Sequence, residues 1–192
     1  MTTVRKFILR AAAMLFVAGC GTLNNRLAPE RIGIADIPQA SGVILLSTGA
    51  SRACTSNGTF LRALPSGQPP TTTEIVAIAV DGSAVSSDFE EHHGFIYAVI
   101  LPAGDYYFAP FTLRGFGGGQ AFPRFDFTVR AKEIVYLGEV FATTNCAVLT
   151  PTVLEIRDRQ ERDFALLRKR NPVLASYPMT TRILNISGHV RG

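Results

Sequence analysis

The side chains best suited to holding a metal or moving a proton fall in one run, Asp88-Phe89-Glu90-Glu91-His92-His93-Gly94. Carboxylates and imidazoles together suit a hard or borderline cation. A cation held there would make a metal-dependent hydrolase. Neighbouring side chains on an extended chain point to opposite faces, however, so His92 and His93 are not expected to converge. The His-Glu-x-x-His spacing of a helical zinc site is missing, and His189 lies far along the chain. The run therefore reads as a polar loop ahead of a strand, with no metal ligand among its residues.

Other chemistries find less support. Gly115-Phe116-Gly117-Gly118-Gly119 lacks the Lys-Ser/Thr of a phosphate loop and lies between strand patterns, where no helix N-terminus would face an anion. It reads as a flexible hairpin loop. Gly-x-Ser-x-Gly is missing, and with it the usual signature of a serine hydrolase. Arg157, Arg159, Arg162, Arg168, Lys169 and Arg170 form a basic stretch offset by Asp158, Glu161 and Asp163. It is expected to be a solvated helix face, the alternative being a contact with lipid phosphates. Tyr106, Tyr107, Phe108, Phe111, Phe116 and Phe122 read as core, the alternative being an exposed binding patch. No residue stands out as catalytic, and no cofactor is implied.

The elements that would position these residues are mostly strands. From Gly42 onward, short apolar or alternating runs are separated by Gly, Pro, Asn and Asp: residues 43–47, 59–64, 74–80, 95–101, 105–113, 125–129, 134–141 and 152–156. Phe125, Phe127 and Val129 oppose Asp126 and Thr128, the period of two that marks a half-buried strand. The expectation is a mainly β chain, an antiparallel β-sandwich of about seven to eight strands with one C-terminal helix. That helix starts at Asp158, with Glu161 three residues on in a capping-box spacing. Phe164 and Leu167 share a face, cations fill its last turn, and Asn171-Pro172 ends it. The expected organisation is a signal peptide over 1–19, a tether over 20–41, the β-sandwich domain over 42–157, the helix over 158–171 and a C-terminal tail over 172–192.

The N-terminus explains the first two of these segments. Arg5, Lys6 and Arg10 precede an apolar run over 7–19, which reads as a secretory signal. The run is about 13 residues long, whereas a spanning helix needs roughly 20. Val17-Ala18-Gly19-Cys20 resembles the lipobox of bacterial lipoproteins. That resemblance implies cleavage between Gly19 and Cys20 and a diacylated, N-acylated cysteine. Gly21, where an aspartate would mark inner-membrane retention, implies the periplasmic face of the outer membrane.

Lipid on Cys20 leaves two of the three cysteines, Cys54 and Cys146. In an oxidising periplasm they most simply form one disulfide, the alternative being two buried free thiols. Loss of residues 1–19 removes three of the 19 basic residues, leaving 16 against 15 acidic ones, a net charge of +1. A nucleic-acid-binding domain normally carries a strong basic excess, so a nucleic-acid partner is not expected.

Leu101-Pro102-Ala103-Gly104-Asp105-Tyr106-Tyr107-Phe108 resembles the hairpin of carboxypeptidase-regulatory-like and transthyretin-like β-sandwiches. Phe125-Asp126-Phe127-Thr128-Val129, followed by Glu133-Ile134-Val135-Tyr136-Leu137-Gly138, resembles its continuation in small bacterial lipoproteins of this type. The resemblance spans roughly residues 42–172 and implies a transthyretin/Ig-like sandwich acting as a binding or structural module. The expected function is that of a membrane-anchored periplasmic lipoprotein, a non-catalytic binding, scaffolding or envelope-assembly module. Its expected partners are the membrane, through the lipid, and an envelope protein. The alternatives are a metal-dependent enzyme using the Asp88-to-His93 loop, or a small-ligand carrier.

Overall fold

β1 (Ser41–Ala50) is buried along its whole length, and its sequence requires that. Ile44 and Leu46 make one face apolar, and Val43 and Leu45 make the other apolar as well. Such a strand must be covered on both sides. Ile44 and Leu46 enter the core between two sheets. Val43 and Leu45 enter a second apolar layer shared with Leu167 and Leu174.

The computed structural model describes residues 28–55, 58–70, 75–82, 86–112, 121–144, 146 and 152–191. The first sheet has the order β4 (His93–Pro102), β1, β7 (Ile134–Thr143) and β8 (Val153–Arg157), with β9 (Met179–Thr181) also pairing with β7. The second runs β10 (Gly188–Arg191), β6 (Ala121–Val129), β5 (Gly104–Thr112), β2 (Thr59–Pro65) and β3 (Val76–Ala79). Every pair in the second sheet is antiparallel. In the first, β1 lies antiparallel to β4 but parallel to β7, and β9 is parallel to β7. The chain is thus the mainly β sandwich expected, with one long helix, α1 (Gln160–Arg170), near its C-terminus. A four-residue helix, α2 (Pro172–Ala175), follows directly.

Two stretches differ from the expected organisation. The tail expected over 172–192 contributes a strand to each sheet, β9 and β10. Strands of three and four residues are too short to show a period. Residues 28–37, expected to be tether, form two 3-10 turns docked on the domain, with Ile32 and Ile37 buried. The Asn171 side-chain amide holds them, donating to the Pro29 and Ile32 carbonyls at 2.8 Å each.

At the other end of the sandwich, Cys54 and Cys146 form a disulfide with Sγ atoms 2.11 Å apart, closing a separation of 92 residues. The neighbouring Asp81 is fully buried. Burial raises its pKa, while the Thr59 amide and hydroxyl donate to its carboxylate.

Candidate functional site: a buried charge cluster beneath α1

The outer layer of the first sheet is apolar under the C-terminal half of α1 and polar under its N-terminal half. Three side chains of the sheet create the change: Ser47 on β1, and Tyr136 and Glu139 on β7. The placement of Glu139 depends on a bulge. In a regular strand, residues three apart face opposite ways. The β1–β7 register pairs Tyr136 with Leu45 but Glu139 with Ser47, so β7 carries one extra residue there. Gly138, at φ +94, supplies it. A positive φ costs glycine little, and one inserted residue returns the next side chain to the previous face.

α1 brings the complementary groups. Its N-cap is Arg159 with no side-chain cap hydrogen bond, so the capping box expected from Asp158 and Glu161 does not form; Asp158 Oδ1 accepts the Gln160 amide at 3.0 Å just ahead of the helix. Arg162 and Asp163 then face the sheet. Asp163, with no exposed surface, accepts from the Ser47 hydroxyl at 2.5 Å and the Tyr136 hydroxyl at 2.8 Å, both at Oδ2. Its Oδ1 accepts from Arg162 Nε at 2.9 Å and Nη2 at 2.7 Å. Arg162 Nη2 also donates to Glu139 Oε1 at 2.8 Å. Arg159 Nε stands 3.7 Å from the other oxygen of Glu139.

The loop before β4 closes the cluster on one side. His92 Nε2 lies 3.1 Å from Glu139 Oε1, and its ring stacks on Phe89 with centroids 4.9 Å apart. The Arg162 guanidinium lies 3.8 Å from the centre of the Phe89 ring. Gly49 makes the approach of His92 possible. A Cβ there would stand 2.8 Å from His92 Nε2 and 2.9 Å from Glu139 Oε1. Farther along α1, Arg170 Nη2 donates to Asp88 Oδ1 at 2.8 Å. The run is a loop ahead of β4, as its sequence suggests, and it packs against the helix: Phe89 is buried, and the Asp88 side chain is 4% exposed.

Burial shapes the protonation of the cluster. It raises the pKa of Asp163 even though Ser47, Arg162 and Tyr136 all favour the carboxylate. It opposes the Arg162 cation, but Asp163 and Glu139 outweigh it and hold that pKa above the ordinary value. It pushes the His92 imidazole down, against the pull of Glu139. Burial and the Asp163 charge together push the Tyr136 phenol up. Asp163 receives only donors, as a carboxylate beside the Arg162 cation requires, and the lowered His92 pKa favours the neutral imidazole. The Ser47 hydroxyl is spent on Asp163, and the two acids converge on one guanidinium. This arrangement fastens a helix to a sheet. Breaking a buried ion pair from one side is strongly destabilising, because the other charge is left uncompensated.

The residues singled out in the sequence separate in space. His92 faces α1, whereas His93 turns to the opposite face, with Nε2 2.9 Å from the Gly82 carbonyl and its ring edge-on to Phe95. Among the described residues, no group of three or more His, Cys, Asp or Glu side chains is placed to hold a metal ion. Tyr106 and Phe108 lie in the core between the sheets, while Tyr107 is buried on the outer face of the second sheet beneath Arg124. Of the basic stretch, Arg162 and Arg170 are drawn into ion pairs, whereas Arg168 and Lys169 stay exposed. Gly19, Cys20, Phe116 and the glycine run lie outside the described residues. Ser47, Tyr136 and Glu139 were not singled out from sequence. Their only signal was a polar side chain inside an otherwise apolar strand.

No protein family matches the chain, and neither a curated protein nor a solved structure matches it. Among the described residues, no helix is long and apolar enough to cross a membrane.

Proposed function

We propose that this chain is a membrane-anchored periplasmic lipoprotein, acylated at Cys20 after cleavage behind Gly19, and held at the outer membrane. Its β-sandwich serves as a non-catalytic binding, scaffolding or assembly module of the envelope. The observation that carries this reading is the Cys54–Cys146 bridge. A lipid on Cys20 leaves these two thiols, and disulfides persist in oxidising compartments such as the periplasm. The divergence of His92 and His93, and the use of Arg162 and Asp163 to fasten α1, favour a binding module over a metal-dependent enzyme. Loops and edges of the rigid sandwich would carry the contacts to an envelope protein.

The test is fractionation of cells expressing the full chain. The parent should sediment with the outer membrane. Cys20→Ser should accumulate as uncleaved precursor or appear in the soluble fraction. A Cys20→Ser protein that is cut normally and stays with the outer membrane overturns the reading.

A further inference from the structure

The corner where α1 passes into α2 combines three properties that belong together at a lipid surface. Of the five exposed large apolar side chains among the described residues, two are here, Val173 at 60% and Tyr177 at 45%. Two exposed cations, Arg168 and Lys169, lie in the preceding turn, and exposed Arg31 follows in the docked N-terminal segment. Asn171 ties that segment to the corner through the Pro29 and Ile32 carbonyls, and Arg170 Nε stands 3.4 Å from Glu30. The chain running back towards Cys20 therefore leaves the domain beside this corner.

We infer that this corner is a second membrane contact. Val173 and Tyr177 enter the headgroup region, while Arg168, Lys169 and Arg31 meet lipid phosphates. The inference rests on lipid attachment at Cys20. Ala28 lies eight positions after Cys20, and an extended chain spans at most about 3.6 Å per residue, so the start of the docked segment stays within about 29 Å of the anchor. At that range the effective lipid concentration is high, and a weak surface contact becomes populated. The occupant is an anionic bilayer because cations flank apolar side chains, the combination that binds interfaces. Glu30 stands 3.4 Å from Arg170, which it shares with Asp88. Asp36 is the other exposed acid of the docked segment, against three exposed cations. The contact would set the orientation of the sandwich, leaving the second sheet pointing away from the membrane.

The chain contains no tryptophan, so a single introduced indole reports without background. The acylated full-length product is extracted from membranes as Tyr177→Trp and, as control, Phe60→Trp. Phe60 lies on the outer face of the second sheet, stacked on Phe111. Each is floated with vesicles of phosphatidylcholine and phosphatidylglycerol whose acyl chains carry bromine. Quenching of the indole in Tyr177→Trp by about twofold is expected if the corner inserts to interfacial depth, with little quenching in Phe60→Trp. Adding Arg168→Gln/Lys169→Gln to the Tyr177→Trp protein should remove most of its quenching, as should vesicles of phosphatidylcholine alone. Protein that floats while the two indoles are quenched alike, or not at all, overturns the membrane contact and leaves the anchor standing. Protein that does not float overturns the anchor and this inference with it.

Discussion

Tyr136 and Glu139 point to the same face of β7 although three residues of a strand should turn them to opposite faces. Gly138, at φ +94, is the cause, and the whole cluster beneath α1 depends on it. Gly138→Ala would hold an L side chain in the left-handed region and set its Cβ 3.0 Å from the Arg157 carbonyl oxygen. A loss of about 1–3 kcal/mol in urea unfolding is expected. An unchanged midpoint would mean that the bulge is not needed to place Glu139.

Asp163 is the acceptor on which Ser47, Tyr136 and Arg162 converge. Asp163→Ala leaves the Arg162 guanidinium with Glu139 and takes the acceptor from the Ser47 and Tyr136 hydroxyls, and a loss of about 3–5 kcal/mol is expected. Asp163→Asn keeps one acceptor oxygen and should cost less. Equilibrium urea unfolding of the three proteins checks this order. If both variants unfold with the parent, α1 is held by its apolar face alone.

The acid response should trace to His92. Burial lowers its folded pKa, whereas in the unfolded chain it titrates near its ordinary value of about 6.5. Just below that value the unfolded state binds the extra proton, so stability rises with pH there. The contribution is complete above about pH 6.5 and is lost as pH falls through the depressed folded value. Asp81 and Asp163, raised by burial, act with the opposite sign and favour the fold as pH falls. His92→Gln removes only the imidazole. Its unfolding midpoint should therefore fall less than the parent's between about pH 7 and pH 5. Parallel pH profiles would contradict the neutral, half-buried imidazole.

Much of this fold could be read from the sequence, because its strands are short apolar runs between turn residues. The helix was legible from the shared face of Phe164 and Leu167 and from the cations of its last turn, although the expected capping box does not form. The divergence of His92 and His93 followed from the period of two. The parallel pairing of β1 with β7 was not legible, since strand partners lie far apart in sequence. Nor was the bulge: Gly138 only makes the alternation of β7 less clean. Ser47, Glu139 and Asp163 come together from three distant elements, so no local spacing announces them. The docking of Ile32 and Ile37 depends on the Asn171 amide, more than 130 residues away.

The Cys54–Cys146 bridge ties the start of the sandwich to the region after β7. On the chain-entropy description, closing so long a loop stabilises the fold by about 4–5 kcal/mol. Cys54→Ser/Cys146→Ser should lower the unfolding midpoint accordingly, and reduction of the parent should do the same. Peptide mapping without reductant should recover the two cysteines in one linked fragment. Two freely alkylated thiols in folded protein from the periplasm would remove the observation on which the proposed location rests.

Lipid on Cys20 is read out by mass spectrometry of the N-terminal peptide from native membranes. The expected peptide begins at Cys20 and carries the added mass of a diacylglyceryl thioether and an amide-linked acyl chain. A chain that retains residues 1–19, or a mature terminus at another residue with an unmodified Cys20, would contradict it.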